Sequence, residues 1–353
     1  MLRLKLIYAS VALAGACSAV RAQTVMALPE ASQRAVVGQR IGLTDITITY
    51  HRPMVGGRKV WDGLVPYGQV WRAGANENTT IEFSTPVMVE GKPLAKGIYG
   101  LHMLPTADSW TVIFSKVYTA WGSFSYDQAE DALRVTVKPQ PSENHEALTY
   151  DFDTPKPGSV IVKLEWEKLA VPFEVSANES EATLSSLRQE LRSGKQYAWE
   201  GFAEAANYCL TNKVSLEEGL AWANKSIAVE ERFENLILKA DLSKALNRAT
   251  DSSAAREKAM GMGNATQIYF YARGLQAQKE PAQAMEIFRV VMKRFPDNWL
   301  AHMAAMRLAS ASGDFTTALK EGKIVQGMDI PAAQKANVVN LMQRQEKNDD
   351  INK

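Results

Sequence analysis

The chain has 353 residues, 46% apolar and 22% charged, and its 40 Lys and Arg against 39 Asp and Glu leave a net charge of +1. That length allows two domains. The composition excludes a disordered chain, and so even a charge balance supplies neither a basic field for nucleic acid nor a polybasic membrane patch.

At the start, Arg3 and Lys5 precede an apolar run from Leu6 to Val20, and Val20-Arg21-Ala22 supplies the short side chains that a signal peptidase accepts. The pattern predicts a signal peptide over residues 1–22, cleaved before Gln23, and therefore a periplasmic or extracellular protein. The apolar run is shorter than the roughly 20 residues a bilayer span needs, so no transmembrane segment is expected in the mature chain. The alternative is a lipoprotein anchored through Cys17, because Leu13-Ala14-Gly15-Ala16-Cys17 resembles a lipobox displaced by one residue. Cleavage at Ala22 leaves Cys209 as the one thiol, with no internal disulfide; its neighbours Ala205, Ala206 and Leu210 predict burial as a small apolar group.

From about residue 35 to 175 the pattern has period two. Ile46, Ile48 and Tyr50 alternate with polar partners in Thr44–Tyr50. Strands are further expected at Thr80–Phe83, Val87–Val89, Gly97–Leu104, Trp110–Phe114, Leu133–Val137, Leu148–Phe152, Val160–Trp166 and Val171–Val175, with a turn at Glu90–Pro93. Strands so spaced read as an antiparallel β-sandwich, or a barrel-like sandwich, over residues 28–176.

Near Asn178 the period changes. Leu184, Leu187 and Leu191 share one helix face, and an all-α region is expected over residues 179–346, followed by a polar tail at 347–353. The helices repeat. Ala284, Phe288 and Pro296 fit the small, aromatic and proline positions of the tetratricopeptide pattern, and Ala318 follows Ala284 by 34 residues, the period of that repeat. Leu216–Leu220 and Ser253–Ala259 occupy similar phases. The segment 265–298 matches best; the others lack the Trp and Gly of the first helix. A TPR-like α-helical solenoid is expected, with a closed helical bundle as the alternative.

Particular stretches of the β half resemble a bacterial family, DUF2911, a domain of unknown function. They are Ile41–Tyr50, Arg52-Pro53, Gly57–Trp61, Gly63–Glu77, Trp110–Lys116, Trp121–Tyr126 and Leu164–Lys168. The resemblance implies an exported bacterial protein and brings no established activity. His51 departs from it, standing where the family more often has a small polar residue.

The irregular stretch Tyr67–Glu77 gathers Trp71, Arg72, Asn76 and Glu77 in one loop, the kind of segment in which a rigid sandwich carries binding groups. Arg58 and Lys59 in the preceding loop would complete a cationic fork for a carboxylate or phosphate. The competing expectation is that Arg72 and Glu77 pair with each other or cap turn backbone, while Trp71 fills the core. In the helical half, Tyr269, Tyr271 and Trp299 are candidates for contact with a protein partner, against a purely inter-repeat role. His51, His102, His145 and His302 stand in no ligand spacing, so neither metal nor cofactor is expected, and the strand histidines read as hydrogen-bonded bystanders. No catalytic motif occurs; Ser115 and Ser123 lack a nucleophile-elbow setting. The pattern favours a non-enzymatic interaction protein, its repeats binding a protein and its β domain an envelope component or small ligand. The alternative is a hydrolase or a carbohydrate- or small-ligand-binding protein with its site around Tyr67–Glu77.

Overall fold

A computed structural model describes residues 29–352; the expected signal peptide, with Cys17 and the cleavage position, lies outside the described residues. The chain divides into two compact units that meet in sequence at Ala177 and Asn178.

The first unit is all antiparallel. Ten strands are described: β1 (Gln33–Ile41), β2 (Thr44–Arg52), β3 (Thr80–Phe83), β4 (Val87–Val89), β5 (Lys92–Leu94), β6 (Gly97–Pro105), β7 (Trp110–Ser115), β8 (Asp131–Val137), β9 (Gln140–Lys156) and β10 (Ser159–Ser176). They form a six-stranded sheet in the order β1-β2-β3-β6-β7-β8 and a four-stranded sheet in the order β5-β4-β10-β9. The expected sandwich is the observed class. On β2, the buried Ile46, Ile48 and Tyr50 alternate with half-exposed neighbours, as one face packed on a core requires. The indoles of Trp61, Trp71, Trp110 and Trp166 centre the core, with centroids 4.9–6.5 Å apart and mostly edge-to-face.

Two local expectations differ from the structure, and one strand is not among those expected. That strand, β1, pairs with β2 along its whole length. The turn expected over Glu90–Pro93 is confined to Glu90-Gly91, and Lys92 already opens β5. The strands expected at Val160–Trp166 and Val171–Val175 are one, β10. Its register shifts around Glu167, whose φ is 55°, so Val160, Val162, Leu164 and Trp166 face the core before it and Val171, Phe173 and Val175 after it. A bulge inverts side-chain parity without ending the strand.

The second unit has ten helices among the described residues: α1 (Glu179–Glu190), α2 (Trp199–Asn212), α3 (Leu216–Val229), α4 (Phe233–Ala245), α5 (Ala249–Met262), α6 (Ala265–Ala277), α7 (Pro281–Arg294), α8 (Trp299–Ala311), α9 (Phe315–Gly327) and α10 (Ala332–Glu346). First helices begin at 199, 233, 265, 299 and 332, that is at intervals of 34, 32, 34 and 33 residues. Apart from α5 and α6, consecutive helices pack on each other, with additional α2–α4 and α6–α8 contacts, which is the nearest-neighbour logic of a repeat array. The fourth residue of each second helix is small and buried: Gly219, Ser252, Ala284 and Ala318. A Cβ on Gly219 would stand 2.6 Å from that of Cys209, so the helices approach to where no larger group fits. Cys209 is buried there, and desolvation pushes its thiol up to about 11, away from thiolate chemistry.

The turns inside the pairs repeat as well. Lys213, Asn247, Lys279 and Gly313 all adopt the left-handed conformation, with φ from 55° to 78°. The following amide donates back five residues in each case: Val214 to Cys209, Arg248 to Ser243, Glu280 to Leu275 and Asp314 to Ala309, over 2.8–3.1 Å. After α10 the chain folds back. Ile351 is buried, its carbonyl accepts from Arg307 at 3.0 Å, and its amide donates to the Ser310 hydroxyl at 3.1 Å.

Candidate functional sites

On the polar outer side of the six-stranded sheet, Thr49 and His51 of β2, Thr80 of β3, Arg34 of β1 and Tyr118 after β7 line a cleft of about 770 Å³. Glu30, Glu77 and Asn78 complete its wall. The loop that delivers Glu77 is tightly fixed. Ala73 and Asn76 have φ of 49° and 55°; the Ala73 carbonyl accepts from the Tyr150 hydroxyl at 3.0 Å and from Thr79 at 3.2 Å. Trp71 Nε1 donates to the Gly74 carbonyl at 3.1 Å, and a Cβ on Gly74 would lie 2.5 Å from Thr79 Oγ1. Only glycine lets the loop press this closely onto the sheet.

Within the cleft, His51 Nε2 stands 3.2 Å from Glu30 Oε2 and 3.2 Å from Glu77 Oε2. The imidazole is buried and its Nδ1 has no hydrogen-bond partner. Asn76 Nδ2 donates to Glu30 Oε2 at 2.7 Å and to the Ser32 carbonyl at 3.2 Å, tying the entering segment to the loop. Asn78 is 6% exposed, and neither its Oδ1 nor its Nδ2 has a partner.

Of the residues singled out in the sequence, Glu77 and His51 line this cleft, and Asn76 stands behind it, bonded to Glu30. Arg58 folds back on its own turn, donating to the Val55 and Met54 carbonyls at 3.0 and 2.5 Å, and Lys59 extends outward, 3.8 Å from Asp62. Trp71 packs in the indole cluster, and Tyr67 is partly exposed. Glu77 approaches His51 and not Arg72. Arg72 lies beside Ser123 and the exposed Phe124; its Nε is buried without a partner, and desolvation lowers its pKa. Sequence reasoning missed Glu30 and read His51 as a hydrogen-bonded bystander, since strand pairing and a loop bring residues 30, 51 and 77 together and no linear spacing encodes that.

A Ser–His pair also emerges. His102 Nδ1 lies 2.8 Å from Ser123 Oγ. Desolvation drives this imidazole down to about 4, with Asp131 opposing, which leaves it a weak base at neutral pH.

In the helical unit, first helices α6, α8 and α10 frame a groove of about 640 Å³. Phe270 and Trp299 supply aromatic surface and Arg273 and Arg307 supply charge. Arg307 is buried, donating to the Tyr269 hydroxyl at 3.0 Å as well as to the Ile351 carbonyl. Arg273 donates to Gln276 Oε1 at 2.6 Å; burial, and then Arg307, lower its pKa. Neither forms an ion pair with a described carboxylate. Tyr269 and Trp299 therefore line the groove, whereas Tyr271 turns to Arg256 and Asp241 at 3.2 and 3.5 Å. No described helix is long and apolar enough to cross a membrane.

None of the curated proteins matches the chain. Among solved structures it is similar to YrrB, described as a TPR protein with an unusual peptide-binding site, at 14% identity over 46% of this chain and 84% of that one, with a TM-score of 0.28. It is similar also to a tetratricopeptide repeat protein from Parabacteroides merdae, at 11% identity over 48% of this chain and 71% of that one, with a TM-score of 0.30. The two sheets, with the His51 cleft on them, are the part that matches a family model: residues 32–175 match DUF2911, a protein family of unknown function.

Proposed function

We propose that this is an exported interaction protein whose helical unit binds a peptide segment of a protein partner. The reading is carried by the groove between α6, α8 and α10, where exposed Phe270 and half-buried Trp299 adjoin two guanidinium groups that no described carboxylate neutralises. Aromatic walls next to desolvated arginine fit an apolar side chain flanked by an anionic group, whether an Asp or Glu side chain or a chain-terminal carboxylate. A small polar ligand for the β unit is a second reading, favoured by the polar lining of the His51 cleft.

Peptide-display selection on the full chain tests the first reading, followed by anisotropy titration of the selected sequences. Enriched peptides are expected to carry an acidic or free-carboxylate group beside an apolar residue. Arg273→Glu removes a charge-assisted contact worth about 1.5–3 kcal/mol and should weaken binding by about 10–100-fold. Enrichment of basic peptides, or equal affinity for Arg273→Glu, would refute the assignment.

A further inference from the structure

We propose that Glu30, His51 and Glu77 form a binding site for a divalent transition-metal ion of the zinc type. Each contributes one donor atom, and the three atoms lie within 4.8 Å of one another. Donors held about 2.0–2.1 Å from a tetrahedral ion stand about 3.3 Å apart. The two His51–glutamate separations, both 3.2 Å, are close to that value. The remaining adjustment falls on two glutamates whose side chains are 44% and 53% exposed, Glu77 more than Glu30, which Asn76 holds, while the imidazole they approach is fixed by burial.

The charge arrangement asks for a cation. An imidazole Nε2–H can direct its proton at one carboxylate, and here two face the same nitrogen. Even a protonated His51 leaves the trio at −1, and a neutral one leaves it at −2. Arg34, the cation in the cleft wall, forms an ion pair with neither glutamate. An ion on the Nε2 lone pair satisfies all three groups together. One imidazole nitrogen with two carboxylate oxygens suits zinc, manganese or iron better than calcium, which takes oxygen donors.

A second observation points the same way. Asn78 is more than nine-tenths buried in the wall of this cleft with both amide atoms unpartnered. A buried amide in that state is costly and has both a donor and an acceptor to offer a water in the cleft. Asn76 is a positioning residue, holding Glu30 Oε2 in place. Three protein donors at the wall of a 770 Å³ cleft would leave the ion an open coordination position facing that space.

The test is calorimetric titration of zinc chloride into the full chain after chelator treatment and desalting, with calcium chloride as the comparison, and thermal unfolding with and without zinc. One zinc per chain with a micromolar or tighter Kd is expected, no comparable response to calcium, and a zinc-dependent rise in Tm, since an ion that binds only the folded state stabilises it. Glu77→Gln, on a half-exposed side chain, should weaken binding more than about tenfold and remove the Tm rise; His51→Asn should abolish both. If His51→Asn does not fold, the Glu30→Gln, Glu77→Gln double variant takes its place. The proposal is overturned by no saturable binding below about 1 mM, or about −4 kcal/mol, which would make the cluster a plain histidine–carboxylate ion pair. It is overturned equally if the variants bind zinc as the parent does.

Discussion

His51 and His102 are both buried imidazoles in the β unit, and they meet different neighbours. His51 meets two carboxylates; His102 meets the Ser123 hydroxyl and the Tyr126 ring, and burial takes its pKa down to about 4. In the unfolded chain a histidine takes up its proton near pH 6.5. Between pH 6.5 and about 4 the unfolded state therefore holds more protons at residue 102 than the folded state does, and stability falls as the pH falls. That shift corresponds to about 3 kcal/mol, complete once the pH has passed below the folded value. Urea unfolding at a series of pH values should show this loss, and His102→Gln should show a shallower decline over the same window. Equal slopes in the two proteins would mean that His102 is not held neutral.

At the level of elements, the helix pairs turn on four left-handed residues, of which one is glycine. A left-handed Lys or Asn carries about 1–2 kcal/mol of steric cost. Lys279→Gly should therefore stabilise the protein by about 0.5–1 kcal/mol after glycine's greater unfolded entropy is subtracted. Gly313→Ala should destabilise it by about 1 kcal/mol. Chemical denaturation with a probe in the helical unit measures both, and a reversed order would show that the turns are not strained. These turns also explain what the sequence made visible. The small buried residue stood out at Ala284 and Ala318 because Ala is common there, but Gly219 and Ser252 fill the same place in other dress. Lys213, Asn247 and Lys279 gave no glycine signal. In the β unit, alternation identified β2 readily, whereas the parity inversion at Glu167 made one strand read as two, and β1 depends on pairing with β2 for its definition.

For the whole molecule, the change from period two to helical spacing was legible because it is a local property of side chains. The His51 cleft was not, because Glu30, His51 and Glu77 meet only once β2 has paired and the Ala73–Asn76 loop has closed over it. Export remains a reading of the first residues, and it has a direct check. Mass spectrometry of the protein recovered from its host envelope or medium should find Gln23 as the first residue; a lipid-modified Cys17 would establish the anchored alternative, and an intact Met1 would end both.

The ends of a stack in which each pair leans only on its neighbours are ordinarily where fraying begins. Here Ile351 is riveted onto α8 through Arg307 and Ser310, past the whole length of α10. Amide exchange in α10 should accordingly be slower than in a helix that leans on α9 alone, and the aromatic groove it helps to frame is braced on that side by the returning chain.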